Sequence, residues 1–357
     1  MEALTKWIGS KVKFLDGILP LVPGESARYF EPFVGGGSLF LGVHDHGQFV
    51  VNDDCGELME LYREAARPTR LFLSHVSDIN DSWKNLTEQF RKHKAQLVAL
   101  YKNYPEGKDY LYLDYVKAAN EALSQIDFQT IFPQHYTEPE AFEMEKRYHF
   151  TRMKSESKDR DFRMQDVLEE YILTSLKTAM YSYYTELYNS PGELPQGLRK
   201  ALLLFLLHFS TNGQFTFDRQ GEFRPVYAGA GHNQKTLDGK IELFASADLR
   251  ERMVKTELHC MDFREFFRRY RPKEGDFVMV DPPLGTMCKK VGAKVFSEEN
   301  LEELLAVLRR CKAKWMLLVK SVDVTRPLAK FAEDYRVAYT GFHREVSIIT
   351  NYDTKNV

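Results

Sequence analysis

The sequence predicts an α/β fold whose sheet is mostly parallel, closes with an antiparallel hairpin at its carboxyl-terminal end, and is interrupted by a long helical segment. Short apolar runs ending in glycine or carboxylate turns recur at 29–37, 49–54 and 276–284, the pattern of strands buried on both faces. Helical spacing separates these runs, which favours parallel pairing. The chain has 357 residues, of which 43% are hydrophobic, enough for one large domain and a smaller one.

The first strand enters Glu31-Pro32-Phe33-Val34-Gly35-Gly36-Gly37-Ser38, where three glycines precede an apolar stretch suited to a helix. Glycines allow a tight turn and close approach of a ligand, and the following helix start offers free N–H groups. The glycines are consecutive, unlike Gly-x-Gly-x-x-Gly, and no Gly-Lys-Ser/Thr follows, so phosphate binding is disfavoured. A second strand, 49–52, ends in Asp53-Asp54. An acidic residue at that strand tip accepts hydrogen bonds from ribose hydroxyls in nucleotide folds, and one of the two is expected to cap the helix starting near Gly56.

After Arg67-Pro68 the sequence predicts charged helices over 71–100 and 101–126, with Pro105-Glu106-Gly107 between them. Over 143–161, charges of both signs interleave, which is the mark of a solvated helix pair before it is that of a phosphate-facing surface. Two helices follow, 171–188 and 198–209. The four tyrosines Tyr181, Tyr183, Tyr184 and Tyr188 read as a packing face with hydroxyls at its rim. The stretch 211–225 alternates and turns at Arg219-Gln220-Gly221, the signature of a hairpin.

Asp276-Phe277-Val278-Met279-Val280 predicts a buried parallel strand ending at Asp281-Pro282-Pro283-Leu284. The two prolines fix φ and remove two N–H donors, so a stiff turn holds the Asp281 carboxylate and nearby carbonyls as acceptors for an amino group. A helix from 297 to 311 opens on the capping pattern Ser297-Glu298-Glu299-Asn300, a strand follows at 315–319, and 335–339 with 345–352 predict the closing hairpin. Ser321 and Asp323 read as turn formers.

Net charge is −2 and the isoelectric point about 6.6, which excludes an overall basic protein but leaves room for a local basic face. Cys55, Cys260, Cys288 and Cys311 form no Cys-x-x-Cys pair, so zinc is not indicated and a reducing compartment is expected. No apolar run reaches membrane-spanning length, and the start lacks the regions of a signal peptide. The expectation is a soluble, cytoplasmic protein.

Thr5-Lys6-Trp7-Ile8-Gly9-Ser10-Lys11, Glu31 to Ser38, Asn52-Asp53-Asp54, Thr211-Asn212-Gly213 with Gly221-Glu222-Phe223, and Asp281-Pro282-Pro283 occur in that order. In this the chain resembles the Dam-like (D12 class) DNA adenine-N6 methyltransferases. The resemblance implies a Rossmann-like methyltransferase fold interrupted by a target-recognition domain. It also implies S-adenosylmethionine as methyl donor and an adenine flipped out of duplex DNA as acceptor. The expected division is a catalytic domain at 1–66 and 241–357, a charged helical insertion at 67–165, and target-recognition helices with a DNA-facing hairpin at 166–240. The resemblance assigns Trp7, Lys11, Phe33, Gly35, Gly37, Asp53 and Asp281 to the cofactor site, with Trp7 and Lys11 closing over the cofactor. Asp262, after the fourth strand, contacts its adenine, and Phe263 stacks there. Asp281 with Pro282 and Pro283 orients the amino group, while Asn212, Arg219 and Arg224 face DNA.

The family's fourth catalytic residue is aromatic and stacks on the flipped base; here it is Leu284. Stacking contributes roughly 1–3 kcal/mol per base, of which leucine returns only part. Phe296 is an aromatic close enough in sequence to substitute. Thr211 and Thr216 stand where the family has an inserted aromatic and a guanine-reading arginine. Threonine cannot make that bidentate contact, so a recognition sequence other than GATC is expected. The alternatives are a methyltransferase-fold DNA-binding protein without transfer activity, and an RNA or small-molecule methyltransferase. A companion subunit supplying part of the recognition is compatible with these departures.

Overall fold

The structure, a computed structural model, describes residues 1–102, 112–132, 139–156, 165–284, 296–320, 325–340 and 345–354. Pro105-Glu106-Gly107, the end of the charged stretch at 157–161, Cys288, Ser321 and Asp323 lie outside the described residues. The chain divides into two compact units. The first comprises Met1–Thr69, Asn212–Glu222 and Glu242–Val357; the second comprises Arg70–Thr211 and Phe223–Ile241.

The first unit is built on seven strands: β1 (Arg28–Glu31), β2 (Gln48–Asn52), β3 (Thr256–His259), β4 (Phe277–Val280), β5 (Lys314–Lys320), β6 (Arg336–Thr340) and β7 (Val346–Thr350). They form one sheet in the order β3-β2-β1-β4-β5-β7-β6. The first five pair in parallel, and β7 runs antiparallel to β5 and β6. The predicted fold class is therefore observed, closing hairpin included. All four residues of β4 are buried, because a central strand of a doubly covered sheet has no solvent face. On one face Phe30, Val278, Val280, Trp315, Leu317 and Val319 join a core completed by the helices Phe263–Tyr270 and Glu298–Arg310. Ser297 caps the second of these, its side chain accepting from the Asn300 N–H, as its sequence requires. The strand order reverses between β1 and β4, and in open α/β sheets ligands bind at the carboxyl ends of strands at that switch point.

One expectation about the sheet is corrected. Asp262 follows the third strand of the chain rather than the fourth, because the described residues between β2 and β3 hold helices and no ladder strand.

The second unit is helical: Arg70–Lys102, Tyr112–Ser124, Pro139–Glu156, Gln165–Asn189 and Leu198–Phe209. The first buries Phe72, Val76, Ile79, Trp83, Leu86 and Phe90 at three- and four-residue steps, the stripe its sequence shows. The four tyrosines are all buried. Their packing role is as expected, but the hydroxyls are not confined to a rim: Tyr181 donates to the Leu206 carbonyl, 2.7 Å away, inside the helix pair. Lys177 is fully buried, with its ammonium 3.9 Å above the Trp83 ring and donating to the Trp83 carbonyl.

The hairpin predicted at 211–225 is present in reduced form: its arms meet at the turn and at the base, where Thr211 donates to the Val226 carbonyl (2.8 Å) and Ser210 bridges antiparallel to Tyr227. Gly221 donates to the Asp218 carbonyl (3.1 Å), Asp218 donates to the Glu222 carbonyl (2.9 Å), and the Asp218 carboxylate accepts from Gln220 and Glu222. This local bonding satisfies donors that a ladder would otherwise use. Thr211–Gly213 is a single 3-10 turn with Asn212 left-handed at φ 56°. No helix among the described residues is long and apolar enough to cross a membrane. Of the cysteines, Cys55 is buried, Cys260 exposed and Cys311 half-buried, and all three are free thiols.

Candidate active site

A cavity of about 510 Å³ opens at the carboxyl ends of β1, β2, β3, β4 and β5 in the first unit. This is the size of a pocket for a nucleoside-like molecule. Trp7, Lys11, Phe33, Gly35, Asp53, Asp262, Phe263, Asp281, Pro282, Pro283 and Leu284, all singled out in the sequence, line it. Gly37 lies in the same glycine turn at φ 79°, and Asn212 and Arg219 are exposed outside the cavity. Arg224, in the second unit, is ion-paired with Glu186.

The glycine turn is held from behind. A Cβ at Gly36 would lie 2.4 Å from the Thr5 carbonyl oxygen and 2.9 Å from the Trp7 Cβ, and one at Gly37 would lie 2.5 Å from the Tyr62 hydroxyl. Only glycine fits both positions, and Gly35 and Gly37 also require positive φ. Leu4 donates to the Gly36 carbonyl and Tyr62 to the Gly35 carbonyl. The amino-terminal arm is thus the back wall of the turn. Trp7 is half-buried there, packed on Gly35 and against Phe215, with ring centroids 5.4 Å apart.

Asp53 joins two stretches of backbone through its two carboxylate oxygens. One carboxylate oxygen accepts from the Gly35 N–H and the other from the Cys55 N–H, each at 3.0 Å. It ties the glycine turn to the start of the helix Gly56–Ala66 and still has lone pairs for a hydroxyl. Asn52, which sequence reasoning passed over, is buried. It donates to the Pro32 and Met261 carbonyls and accepts from the Met261 N–H, locking the ends of β1 and β3 in place. A strand ending in Asn rather than another β-branched residue was the available signal.

Phe33, Phe263 and Phe296 form an aromatic wall with centroid distances of 5.6–5.7 Å. Phe296 packs on Phe33 and Phe263 and lines the same cavity as Leu284. Asp262 accepts from the Arg264 N–H (2.8 Å), capping the helix Phe263–Tyr270, and pairs with the Arg264 guanidinium. Leu284 packs against the core beneath the sheet, and its N–H donates to the Pro282 carbonyl at 2.8 Å, a three-residue turn.

Lys11 occupies a place the sequence did not indicate. It is 3% exposed, and its ammonium donates to both Asp281 oxygens (2.5 and 2.7 Å) and to the Gly9 carbonyl (2.9 Å). A fully hydrogen-bonded buried pair of this kind fixes the carboxylate's orientation. Burial pushes the Asp281 carboxyl above its ordinary range, while the charge and hydrogen bonds of Lys11, and the charge of Lys320, pull it back. Glu31 was also missed. It is 1% exposed, lines the cavity, and accepts from the Tyr29 hydroxyl at 2.6 Å. Burial raises its carboxyl well above the usual range, the Tyr29 hydrogen bond opposes this, and the charges of Asp281 and Asp53 reinforce it.

Among the described residues, carboxylates at 31, 53, 54, 262 and 281 outnumber the cations at 11, 264 and 320 around this cavity. These acceptors fit a cationic ligand with hydroxyls and an aromatic ring.

Comparison with known proteins gives a match to the family model for D12 class N6 adenine-specific DNA methyltransferases over residues 7–340. The chain is similar to the Type II methyltransferase M1.LlaDCHI of Lactococcus lactis subsp. cremoris, 39% identical over 64 residues, which cover 18% of this chain and 22% of that protein. It is also similar to the Type II methyltransferase M.MjaIII of Methanocaldococcus jannaschii, 28% identical over 100 residues, covering 26% of this chain and 35% of that one. These alignments span well under half of either relative. The chain belongs to the D12 class N6 adenine-specific DNA methyltransferase family.

Proposed function

We propose that this member of the family transfers a methyl group from S-adenosylmethionine to the N6 amino group of an adenine flipped out of duplex DNA. The observation that carries the reading is the placement of Asp281, clamped by Lys11, on the rim of the cavity that also holds the glycine turn and Asp53. Bound S-adenosylmethionine supplies an electrophilic methyl on a sulfonium centre. Asp53 receives the ribose hydroxyls, Phe33 and Phe263 hold the adenine ring with Asp262 beside it, and Glu31 faces the cationic portion of the cofactor. Trp7 closes the arm over it. Asp281 and the Pro282 carbonyl accept the two N–H groups of the target amine, aiming its lone pair at the methyl. Such alignment, rather than acid–base work, provides most of the acceleration.

The catalytic part comprises 1–66 and 241–357. The segment 67–165 is a charged helical insertion, and 166–240 serves target recognition, with Asn212 and Arg219 at the duplex and Arg224 released from Glu186 on binding. Thr216 makes a recognition sequence other than GATC the expectation. A second reading is favoured by Leu284, whose side chain is used in core packing and offers the base no ring: a DNA-binding protein that keeps the cofactor pocket without transferring methyl groups.

The deciding experiment is radiolabelled methyl transfer to unmethylated genomic DNA, with nucleoside analysis of the product. N6-methyladenine supports the enzyme. Salt-dependent DNA binding with no incorporated label leaves the second reading, and absence of S-adenosylmethionine binding in calorimetry removes both.

A further inference from the structure

We propose that Lys320 is a specificity-determining contact of the acceptor pocket, its ammonium donating a hydrogen bond to a ring nitrogen beside the amino group of the target base. The inference rests on the methyl-transfer reading above and adds a residue to it.

Alternation along β5 places the side chain. Trp315, Leu317 and Val319 face the core shared with Val278 and Val280, so Met316, Leu318 and Lys320 lie on the opposite face, the one that carries Met279 and Asp281. Met279 pairs with Met316 and Val280 with Leu317. Extended to the strand ends, this register sets Lys320 two places beyond the position opposite Asp281. That is the diagonal neighbour across adjacent strands, about 7–8 Å away and within reach of a long side chain. Lys320 lines the cavity, and its charge acts on the Asp281 carboxyl.

The two lysines at this end are not equivalent. All three protons of the Lys11 ammonium are committed, two to Asp281 and one to Gly9. None remains for a substrate. The Lys320 ammonium has no hydrogen-bond or ion-pair partner within bonding distance among the described residues, although a half-buried cation in a pocket is stabilised only when one arrives. Asp281 is an acceptor and Lys320 a donor on the same face. An amino group next to an unprotonated ring nitrogen presents the complementary donor and acceptor. Adenine has that pair twice, N6 with N1 and N6 with N7, whereas on the edge that carries N7 guanine's O6 and N7 are both acceptors and cannot satisfy Asp281. Leu284 offers no ring and no polar atom, so a hydrogen bond from Lys320 supplies orientation that stacking supplies elsewhere in the family.

The test uses the full chain and a duplex whose methylated adenine has first been mapped. Wild type, Lys320→Met and Lys320→Arg are assayed for kcat and KM with adenine, 1-deazaadenine or 7-deazaadenine at that position. S-adenosylmethionine affinity by calorimetry reports an intact fold. The expected result is a loss in kcat/KM of at least about tenfold for Lys320→Met on adenine, with cofactor affinity within about twofold of wild type and most activity kept by Lys320→Arg. On one of the two deaza analogues wild type suffers the same loss, and there Lys320→Met loses nothing further. That analogue identifies the nitrogen. An undiminished effect of Lys320→Met on both analogues, a Lys320→Met variant equal to wild type on adenine, or a loss of cofactor affinity that parallels the loss of rate overturns the proposal. Wild type that methylates no DNA overturns the methyl-transfer reading, and this inference falls with it.

Discussion

At the glycine-turn end of the pocket the shape is set by backbone: Gly35, Gly36 and Gly37 are pressed against Thr5, Trp7 and Tyr62, and the Gly35 N–H is fixed by Asp53. At the Asp281 end it is set by side chains drawn from separated segments, Lys11 from the arm, Glu31 from β1, Asp281 after β4 and Lys320 from β5. The backbone end leaves no room for a side chain at Gly36 or Gly37 and is held by Tyr62 and Asp53 behind it. The other end can be changed one residue at a time, and Leu284 stands there where the resemblance implies an aromatic. A family can therefore keep its cofactor pocket while its acceptor chemistry drifts.

The sharpest way to break the contrast is Asp281→Asn. It keeps the side chain's shape but turns one acceptor into a donor, so methyl transfer should fall by about 10²–10³-fold, the scale set by removing one preorganised polar group from a site. Lys11 loses its counter-charge while buried, which costs about 3–5 kcal/mol of stability. Adding Lys11→Met should restore most of that stability in a thermal melt and none of the activity. Recovery of activity in the double variant would show that the loss in Asp281→Asn came from the unpaired lysine rather than from the missing carboxylate.

At the other end, Gly36→Ala forces a Cβ to within 2.4 Å of the Thr5 carbonyl oxygen, a backbone atom that cannot swing aside. Calorimetry should show cofactor affinity falling about tenfold or more, and the melting midpoint should drop by the equivalent of about 1–3 kcal/mol. Wild-type affinity in this variant would mean that the turn does not shape the cofactor site.

Smaller, and confined to the acceptor end, is the effect of Lys11→Met on pH dependence. Asp281 must be ionised to accept an amino proton, and burial already holds its carboxyl above the ordinary range, with Lys11 opposing the rise. Activity is lost as pH falls through that value. Without Lys11 the acid limb of kcat/KM should move to higher pH, lowering activity on the acid side and leaving it unchanged in alkali. An unmoved limb would assign it to another group, with Glu31 the first candidate.

The sequence made the backbone end easy to read for a physical reason. Consecutive glycines, a β-branched strand and a terminal carboxylate are local patterns, and each predicts its own geometry within a few residues. The parallel strands, the capped helix at Glu298–Arg310 and the closing hairpin were legible on the same ground. What stayed hidden was set by long-range pairing. Lys11 meets Asp281 across 270 positions, and Asn52 bridges to Met261 across 209. No local pattern records such partners. Glu31 was hidden differently, because its proline and glycine neighbours make it look like part of a turn rather than a buried carboxylate facing the cavity. The hairpin at 211–225 pairs over fewer residues than alternation suggests, because the Asp218 carboxylate takes backbone donors near the turn.

The mildest test asks whether the acceptor end has been retuned or abandoned. Leu284 packs on the core beneath the sheet, and its N–H closes the turn on Pro282. A tyrosine there keeps the backbone bond, since any residue but proline supplies the N–H, and adds a ring at the rim of the cavity. If base orientation limits the rate, Leu284→Tyr should raise kcat by up to about tenfold, which corresponds to about 1.4 kcal/mol of stacking gained in the transition state. If Lys320 already orients the base, the gain should be small in wild type and larger in Lys320→Met, because the two devices serve the same end and one can cover the loss of the other. Single-turnover rates of the four proteins in that cycle measure the coupling directly. Equal gains in both backgrounds would mean that stacking and the lysine act on separate steps, and that the acceptor end was assembled from independent parts.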